Sequence, residues 1–361
     1  MQNQVIILKR GRLEYIEFME VNMKKMVYAA PHPQKLSTVF PGELMGELKS
    51  IVDVEQTGEG PVDYAHMDSS LNENTVALIG QMDLPEERLK KAPNLKAIFN
   101  VEGNFYQNID YDYCFRNNIH VLNCGGAYSQ AVAEMTLAMA LDLARGITRE
   151  DRRFRRGEET YLGDGCLDAV LLSGSDVGFI GFGNLGRAIL PLMEPFHCNV
   201  SVYDPWVPGT VIEEHGCTPA SLEDVLSKNR FIFVFAGVTK DNQGFLNEKM
   251  LNLIGKDAFF LLMSRAAVVD FEALNNLTLA GNFSAVVDVF PEEPMPVEHT
   301  VRKNENMILS PHHAGGIPEA FSLIGRMVMD DLQLMQRGLP PMRMQKAQWE
   351  TVKRFASKPA G

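Results

Sequence analysis

The stretch VGFIGFGNLGRAIL, residues 177–190, joins an apolar run to a helical pattern through Gly181, Gly183 and Gly186. A lone GxGxxG pattern is weak evidence, but a strand before it and a helix after it are the context that dinucleotide binding needs. The first glycine permits a tight turn, the second lets the backbone approach a pyrophosphate, and the third lets helix and strand pack closely. The helix N-terminus then offers unpaired N–H groups to the phosphates. The stretch therefore predicts a Rossmann-type dinucleotide site.

A carboxylate at the end of the next apolar run indicates which dinucleotide is bound. Asp204 ends the run NVSVYD, residues 199–204. A carboxylate about 20 residues after the glycine turn hydrogen-bonds the adenosine ribose hydroxyls and would repel a 2′-phosphate. The next residues, Pro205 and Trp206, supply no arginine to receive such a phosphate. The sequence therefore favours NAD over NADP.

Apolar runs alternate with helical stretches along most of the chain, which predicts an α/β fold with two doubly wound parallel-sheet domains. A helix is predicted over 129–154 with Ser129 as its N-cap, and a last helix over 318–341. We predict a Rossmann domain inserted into a flavodoxin-like domain; the family resemblance given below implies that the first binds NAD and the second binds the substrate. The predicted strands are 26–30, 76–80, 95–101 and 119–123 in the first block, followed by SDVGFIGFG, NVSVYD, FIFVFAG, AFFLLMS, FSAVVDVF and NMILS in the second.

The alternation also gives predicted domain boundaries. Residues 1–128 form the first part of the substrate-binding domain, residues 129–318 the NAD-binding domain, and residues 319–361 the return to the substrate-binding domain. Residues 1–22 join poorly to the first strand and are interpreted either as an extension, with Met23 as the start, or as native sequence.

Composition and charge exclude several classes of function. The 361 residues are enough for two domains with cores of their own. A net charge of −12 disfavours nucleic acid and membrane surfaces as partners, because an acidic surface repels phosphate groups. The five cysteines form no CxxC pair, so no disulfide framework or metal site is indicated and a reduced, cytoplasmic setting is expected. No apolar run is long enough for a membrane span or a signal-peptide core.

Three polar elements follow predicted strands of the second block. They carry Arg265, then Asp288 with Glu293, then His312. Because the C-terminal ends of strands in a doubly wound sheet face the ligand crevice, these side chains should converge there.

At this point the chain resembles the D-2-hydroxyacid dehydrogenase family, from about residue 25 onward. Besides the glycine turn, the resemblance rests on five motifs in the family's order: NIDYDYCFRNNIHVLN (108–123), VAEMTLAMALDLAR (132–145), SRAAVVDFEAL (264–274), DVFPEEP (288–294) and SPHHAGG (310–316). The resemblance implies NAD-dependent hydride transfer between a D-2-hydroxy acid and a 2-keto acid. An NAD-sensing corepressor on the same fold is the alternative, because fold alone does not separate the two.

The resemblance also implies roles for single residues. Arg265 would bind the substrate carboxylate and keto oxygen, since a guanidinium can bond two oxygens at once. His312 would be the general acid/base, and Glu293 would orient it. The neighbouring His313 is interpreted as structural, and the family's spacing from Asp288 selects Glu293 over Glu292.

The implied contacts of cofactor and substrate complete the set. Asp288 would receive the nicotinamide carboxamide, and the N–H groups of Asn104 and Phe105 would join Arg265 and His312 in holding the substrate. Phe105 replaces a usual glycine, so the shape of its loop differs from the family's pattern. The full set of expected cofactor contacts is Gly181, Gly183, Asn184, Leu185, Gly186, Asp204, Ala236, Gly237, Thr239, Ser264, Arg265, Asp288 and His312.

Substrate and assembly are predicted less specifically. Family members that act on phosphoglycerate carry an arginine near the end of the 76–80 strand, where this chain has Ile79, Gly80 and Gln81, so a phosphorylated substrate is not expected. Gln81, Tyr106 and His32 would suit a polar, hydroxylated acid. Apolar surface on the 129–150 helix, in the region that pairs subunits in the family, predicts a homodimer.

Overall fold

The structure is a computed structural model that describes residues 4–9, 12–17 and 25–356. Its strands form a two-stranded antiparallel sheet, a six-stranded sheet and a seven-stranded sheet. The strands are β1 (Gln4–Lys9), β2 (Arg12–Glu17), β3 (Met26–Ala30), β4 (Asp53–Glu55), β5 (Thr75–Gly80), β6 (Ala97–Asn100), β7 (His120–Asn123), β8 (Asp176–Ile180), β9 (Asn199–Tyr203), β10 (Thr218–Pro219), β11 (Phe231–Val234), β12 (Phe259–Leu262), β13 (Ser284–Val287), β14 (Met307–Leu309) and β15 (Gln345–Lys346).

The helices lie between the strands, as the alternation predicts. No helix among the described residues is long and apolar enough to cross a bilayer. The helices are α1 (Leu36–Val39), α2 (Glu43–Ile51), α3 (Tyr64–Ser70), α4 (Glu86–Leu89), α5 (Tyr111–Arg116), α6 (Gly125–Arg145), α7 (Ile147–Arg156), α8 (Asn184–Met193), α9 (Gly209–Glu214), α10 (Leu222–Lys228), α11 (Glu248–Leu251), α12 (Phe271–Leu279), α13 (Pro318–Gln336) and α14 (Trp349–Val352).

The predicted α/β fold is confirmed, and the strand orders match the two expected sheet types. The six-stranded sheet has the order β4-β3-β5-β6-β7, the flavodoxin-like pattern, with β15 added antiparallel to β7. The seven-stranded sheet has the order β10-β9-β8-β11-β12-β13-β14, the Rossmann pattern with one further strand, and is parallel throughout. The central strands β11 and β12 are buried along their whole length, which explains their continuous apolar sequence.

The helix predicted over 129–154 is wrong at both ends. Helix α6 begins at Gly125, and Ser129 donates its hydroxyl to the Gly126 carbonyl oxygen (2.7 Å) instead of capping. The helix ends at Gly146, whose left-handed φ of 65° stops it before α7 begins. Because α6 runs from the core of one domain into the core of the other, the boundary proposed at residue 129 falls inside a continuous helix.

A short C-terminal segment, residues 349–356, returns from the substrate-binding side to the Rossmann side. The Arg354 carbonyl oxygen accepts a hydrogen bond from the Lys240 N–H (2.8 Å). The Phe355 ring lies 6.0 Å from the ring of Phe105 and 5.7 Å from that of Trp206, measured between centroids. One aromatic side chain therefore contacts loops of both domains.

Candidate functional site

A cleft of about 620 Å³ opens between the two sheets, where the C-terminal ends of their parallel strands meet. This is the position at which open α/β sheets bind ligands. The walls come from both domains, so the cleft is a shared site. Its polar lining residues are Gln34, Glu102, Asn104, Tyr106, Tyr128, Asn184, Ser264, Arg265, Asp288, Glu293 and His312.

The glycine turn after β8 has the shape that a dinucleotide needs. Gly181 has a φ of 101°, and a Cβ there would lie 2.7 Å from the Ala236 main-chain nitrogen. A Cβ on Gly186 would lie 2.9 Å from the Gly181 carbonyl oxygen. At Gly183, by contrast, a Cβ would meet nothing within 4 Å. Two glycines are thus required by the fold, while Gly183 leaves open backbone at the start of α8, and the turn fits a pyrophosphate.

Asp204 stands beside this turn at the end of β9. Its Oδ2 accepts a hydrogen bond from the Phe182 N–H (2.7 Å), and its Oδ1 accepts one from the Trp206 N–H (2.8 Å). These bonds fix the carboxylate against the glycine turn. Each oxygen has two lone pairs, so the carboxylate can still accept from ribose hydroxyls.

His312 and Glu293 form a close pair on the Rossmann wall of the cleft. The distance from His312 Nδ1 to Glu293 Oε2 is 2.7 Å, and Glu293 Oε1 accepts from the Phe290 N–H (2.9 Å). Burial acts to raise the pKa of Glu293, but the hydrogen bonds from His312 and Phe290 and the nearby charge of Arg265 lower it overall. An ionised Glu293 makes Nδ1 the protonated nitrogen of the ring and leaves Nε2 for exchange with a ligand.

Asp288 holds the loop that carries the two histidines. Its carboxylate accepts from the Ser310 hydroxyl (2.6 Å), the His313 N–H (3.0 Å) and the Ala314 N–H (3.2 Å). Its carbonyl oxygen accepts from the His312 N–H (2.8 Å), and His312 adopts a left-handed φ of 56° that is uncommon for a non-glycine residue. Burial raises the pKa of Asp288 despite the hydrogen bonds it accepts. The carbonyl group of Asp288 thus holds the His312 backbone and its side chain holds the residues on either side, a role that sequence reasoning did not assign.

Arg265 lies in the same wall, after β12. Its Nη1 donates to the Ser264 carbonyl oxygen (2.8 Å), and the half-buried guanidinium lines the cleft. Arg265, Glu293 and His312, far apart in the sequence, therefore meet in one cleft.

The opposite wall is the loop between β6 and α5. Asn104 lines the cleft, and neither its N–H nor that of Phe105 has a hydrogen-bond partner within residues 25–356. The Phe105 side chain is only 3 % exposed and packs in the substrate-binding core, away from the cleft. The phenylalanine that replaces a glycine therefore fills the domain interior instead of narrowing the pocket.

The remaining predicted residues divide into two groups. Four of them line the cleft: Asn184, Leu185, Gly237 and Ser264. The others lie outside its lining: Gly181, Gly183 and Gly186 in the turn after β8, Asp204 beside that turn, and Ala236 and Thr239. His32 does not line it either, and Gln81 lies behind it, bonded to Glu102. Sequence reasoning missed Glu102 as a cleft residue. The available signal was an acidic residue directly before Gly103 in the loop expected to hold the substrate.

Comparison with known proteins gives consistent relatives. Residues 137–314 match the model of the D-isomer specific 2-hydroxyacid dehydrogenase, NAD binding domain. A glyoxylate reductase of Thermofilum pendens is 30% identical over 266 residues, which cover 72% of this chain and 78% of that protein. A D-3-phosphoglycerate dehydrogenase of Methanocaldococcus jannaschii is 28% identical over 252 residues, 69% of this chain and 47% of that protein.

A solved structure extends the match over both domains. The crystal structure of a phosphoglycerate oxidoreductase from Rhizobium etli is 41% identical, with a TM-score of 0.80, and the alignment covers 91% of this chain and 100% of that one. The recognition made from the motifs is thereby confirmed. The chain belongs to the D-isomer specific 2-hydroxyacid dehydrogenase family and is an oxidoreductase that uses a nicotinamide dinucleotide.

Proposed function

We propose that this enzyme interconverts a D-2-hydroxy acid and its 2-keto acid, with His312 as acid/base, Glu293 as its orienting partner and Arg265 as the carboxylate ligand. The observation that carries the proposal is the 2.7 Å bond between His312 Nδ1 and Glu293 Oε2, in a cleft that Arg265 also lines. A bound nicotinamide supplies or receives the hydride.

The protein's part is to bind, orient and move one proton. Arg265 holds the substrate carboxylate and keto oxygen, because its planar fork matches two oxygens. In reduction, His312 donates a proton from Nε2 to the keto oxygen, and in oxidation the same atom takes it back. Glu293 stabilises the charged ring, and the N–H groups of Asn104 and Phe105 hold the carboxylate from the opposite wall. The remaining predicted contacts bind the cofactor: Gly181, Gly183, Asn184, Leu185, Gly186, Asp204, Ala236, Gly237, Thr239, Ser264 and Asp288.

A catalytic pair of this kind favours an enzyme over the NAD-sensing alternative. A sensor needs the glycine turn and Asp204 but gains nothing from a histidine hydrogen-bonded to a carboxylate at the far end of the cleft. We further propose NAD as the preferred dinucleotide, because Asp204 lies against the turn where a 2′-phosphate would bring negative charge.

We also propose that the enzyme is a homodimer. The segment 147–171, which follows α6, exposes several large apolar side chains, whereas the apolar residues of α6 itself are half-buried against the Rossmann core. Exposed apolar surface of this extent marks an association site. The exposed side chains are Ile147, Phe154, Tyr161, Leu162, Leu167 and Leu171. Sedimentation should give twice the chain mass, and Leu162→Asp with Leu167→Asp should give the monomer.

The decisive test of the activity is NADH oxidation with a panel of 2-keto acids, followed by the absorbance of the reduced nicotinamide. The expected result is turnover of at least one member with NADH preferred over NADPH. Binding of NADH without turnover of any 2-keto acid would favour the sensor. Chiral analysis of the product should give the D-isomer, and an L-product would contradict the proposed D-2-hydroxy acid specificity.

A further inference from the structure

The wall of the cleft opposite Arg265 carries a carboxylate, whose charge is opposite to that of the guanidinium. Glu102, between β6 and α5, is 7 % exposed and lines the cleft together with Asn104 and Tyr106. A carboxylate that is almost buried is costly unless it is well hydrogen-bonded. A glutamate retained at this position therefore needs a structural or functional reason.

The surroundings of Glu102 hold its carboxylate in one orientation. The Tyr106 hydroxyl donates to Oε2, and Gln81 Nε2 donates to Oε1 (3.0 Å). Gln81 Nε2 also donates to the His32 carbonyl oxygen (2.8 Å). Since both partners of this nitrogen are acceptors, the amide orientation is fixed by chemistry. Two neutral donors, one following β5 and one in the loop after β6, thus fix the orientation of one carboxylate.

The backbone around Glu102 is fixed as well. Asn100, fully buried at the end of β6, accepts the Glu102 N–H through Oδ1 (2.9 Å) and donates through Nδ2 to the Asn104 carbonyl oxygen (2.8 Å). The same turn therefore sets the carboxylate of Glu102 and the N–H groups proposed to hold the substrate. Burial and the Glu102 charge together raise the pKa of Tyr106, with Arg265 acting in the opposite direction, so the phenol keeps its proton and remains a donor.

We propose that Glu102 is a specificity-determining residue that accepts hydrogen bonds from hydroxyl groups on the substrate carbons beyond C2 and disfavours a phosphate or second carboxylate there. This inference rests on the proposed function, because Arg265 must hold the substrate end at which C2 reacts. An anionic acceptor then faces the rest of the molecule. The chemical class selected is a neutral, hydroxylated 2-keto or 2-hydroxy acid.

The substrate class proposed for this chain differs from the substrates in the names of its relatives. Glyoxylate, the substrate named for one relative, has no carbon beyond C2 that could reach Glu102. A phosphoglycerate, named for two others, would bring its phosphate near an anion and gain no arginine from the end of β5, where Ile79, Gly80 and Gln81 stand.

The test compares three probes on the full chain with NADH: glyoxylate, hydroxypyruvate and phosphohydroxypyruvate. The wild type should prefer hydroxypyruvate. In Glu102→Gln, kcat/KM for hydroxypyruvate should fall roughly 10- to 100-fold, the effect of losing a hydrogen bond to a charged group. The value for glyoxylate should stay within about threefold, since that substrate makes no such bond. The value for phosphohydroxypyruvate should rise.

Two further variants separate recognition from loop integrity. Tyr106→Phe removes one donor that aims the carboxylate and should give a smaller loss with the same substrate pattern. Glu87→Gln changes an exposed glutamate of the same domain and should leave all three values unchanged. An equal loss for glyoxylate and hydroxypyruvate in Glu102→Gln would overturn the inference and assign Glu102 to holding the loop.

The outcomes also distinguish this inference from the proposed function. If the wild type reduces none of the three probes, nor any member of a wider 2-keto acid panel, the proposed function fails and this inference fails with it. If the wild type is active but Glu102→Gln leaves the ratio between hydroxypyruvate and phosphohydroxypyruvate unchanged, only the role of Glu102 is overturned.

Discussion

The two walls of the cleft differ in the chemical groups that they present to a ligand. The Rossmann wall carries Arg265, Glu293 and His312, which fit the proposed proton transfer. The facing loop, residues 101–108, replaces a usual glycine by Phe105, and its turn places Glu102 in the cleft. A proton transfer tolerates little change in geometry, whereas substrate recognition can vary with each substrate. The comparison therefore agrees with the proposals, which place the chemistry on one wall and substrate selection on the other.

The largest expected effect removes the proton donor of the Rossmann wall. His312→Ala should lower kcat for 2-keto acid reduction by roughly 10²–10⁴-fold, the usual contribution of a positioned acid/base. The matched variant is His313→Ala, which leaves the Asp288 contacts to the backbone in place and should cost less than about threefold, since the ring has no proposed part in proton transfer. Steady-state kinetics with NADH at saturation measure both, and equal losses would assign the proton transfer to the pair.

On the substrate wall, Phe105 should matter for stability more than for the pocket. Phe105→Ala removes a buried ring that packs against Phe355 and should lower the free energy of unfolding by roughly 3–5 kcal/mol. Denaturant unfolding measures this. The control Leu339→Ala alters a side chain that is 50 % exposed and should change the value by less than about 0.5 kcal/mol. If Phe105→Ala left the free energy of unfolding unchanged and widened the substrate range, Phe105 would instead be a residue of the substrate pocket.

The next effect concerns the Glu293 carboxylate, the hydrogen-bond partner of His312. Glu293→Gln should lower kcat/KM roughly 10- to 100-fold, because the hydrogen bond it removes is charge-assisted. The loss relative to the wild type should shrink at acidic pH, because the wild-type carboxylate is itself protonated there and no longer accepts a hydrogen bond as an anion. The lowered pKa of Glu293 keeps it ionised at neutral pH, so this support is lost only in acid. Glu292→Gln, at the exposed neighbour, should leave the profile in place.

The smallest effect concerns cofactor choice at Asp204, which lies beside the glycine turn and outside the cleft lining. Asp204→Ala should raise KM for NADH about tenfold through loss of ribose hydrogen bonds and shrink the preference over NADPH. The value of kcat should change little, because the reacting groups are untouched. KM measured for both dinucleotides tests this, and an unchanged ratio would remove Asp204 from the ribose site.

The sequence predicts those parts of the fold in which one physical requirement, such as burial, sets the pattern of apolar residues. Strands buried on both faces, such as β11 and β12, must be continuously apolar and are recognisable as such. The short edge strands β4, β10 and β15 were missed, because segments of two or three mostly polar residues carry no apolar run. The start of α6 was misplaced because Ser129 resembles a cap but bonds within the first turn.

The candidate site likewise contains residues that the sequence predicts and one that it does not. Arg265, Glu293 and His312 follow strands of one parallel sheet, so topology alone predicts that they meet. Glu102 was not predicted as a cleft residue, because its burial depends on Gln81 from the end of β5 and Tyr106 from later in the loop. An acidic residue in a loop is most often solvated, and no local pattern reveals partners from other elements. The predicted homodimer and the cytoplasmic setting stay predictions.

The contacts of the Phe355 ring matter for any attempt to change the cofactor preference. It contacts Phe105, next to the proposed substrate N–H groups, and Trp206, two residues after the proposed ribose ligand Asp204. Redesigning residues 204–206 to accept NADP would therefore also disturb an anchor of the substrate loop. Cofactor exchange in this scaffold is best begun with Phe355 and Trp206 retained, and variants that alter either one should be screened for keto acid selectivity as well as for coenzyme use.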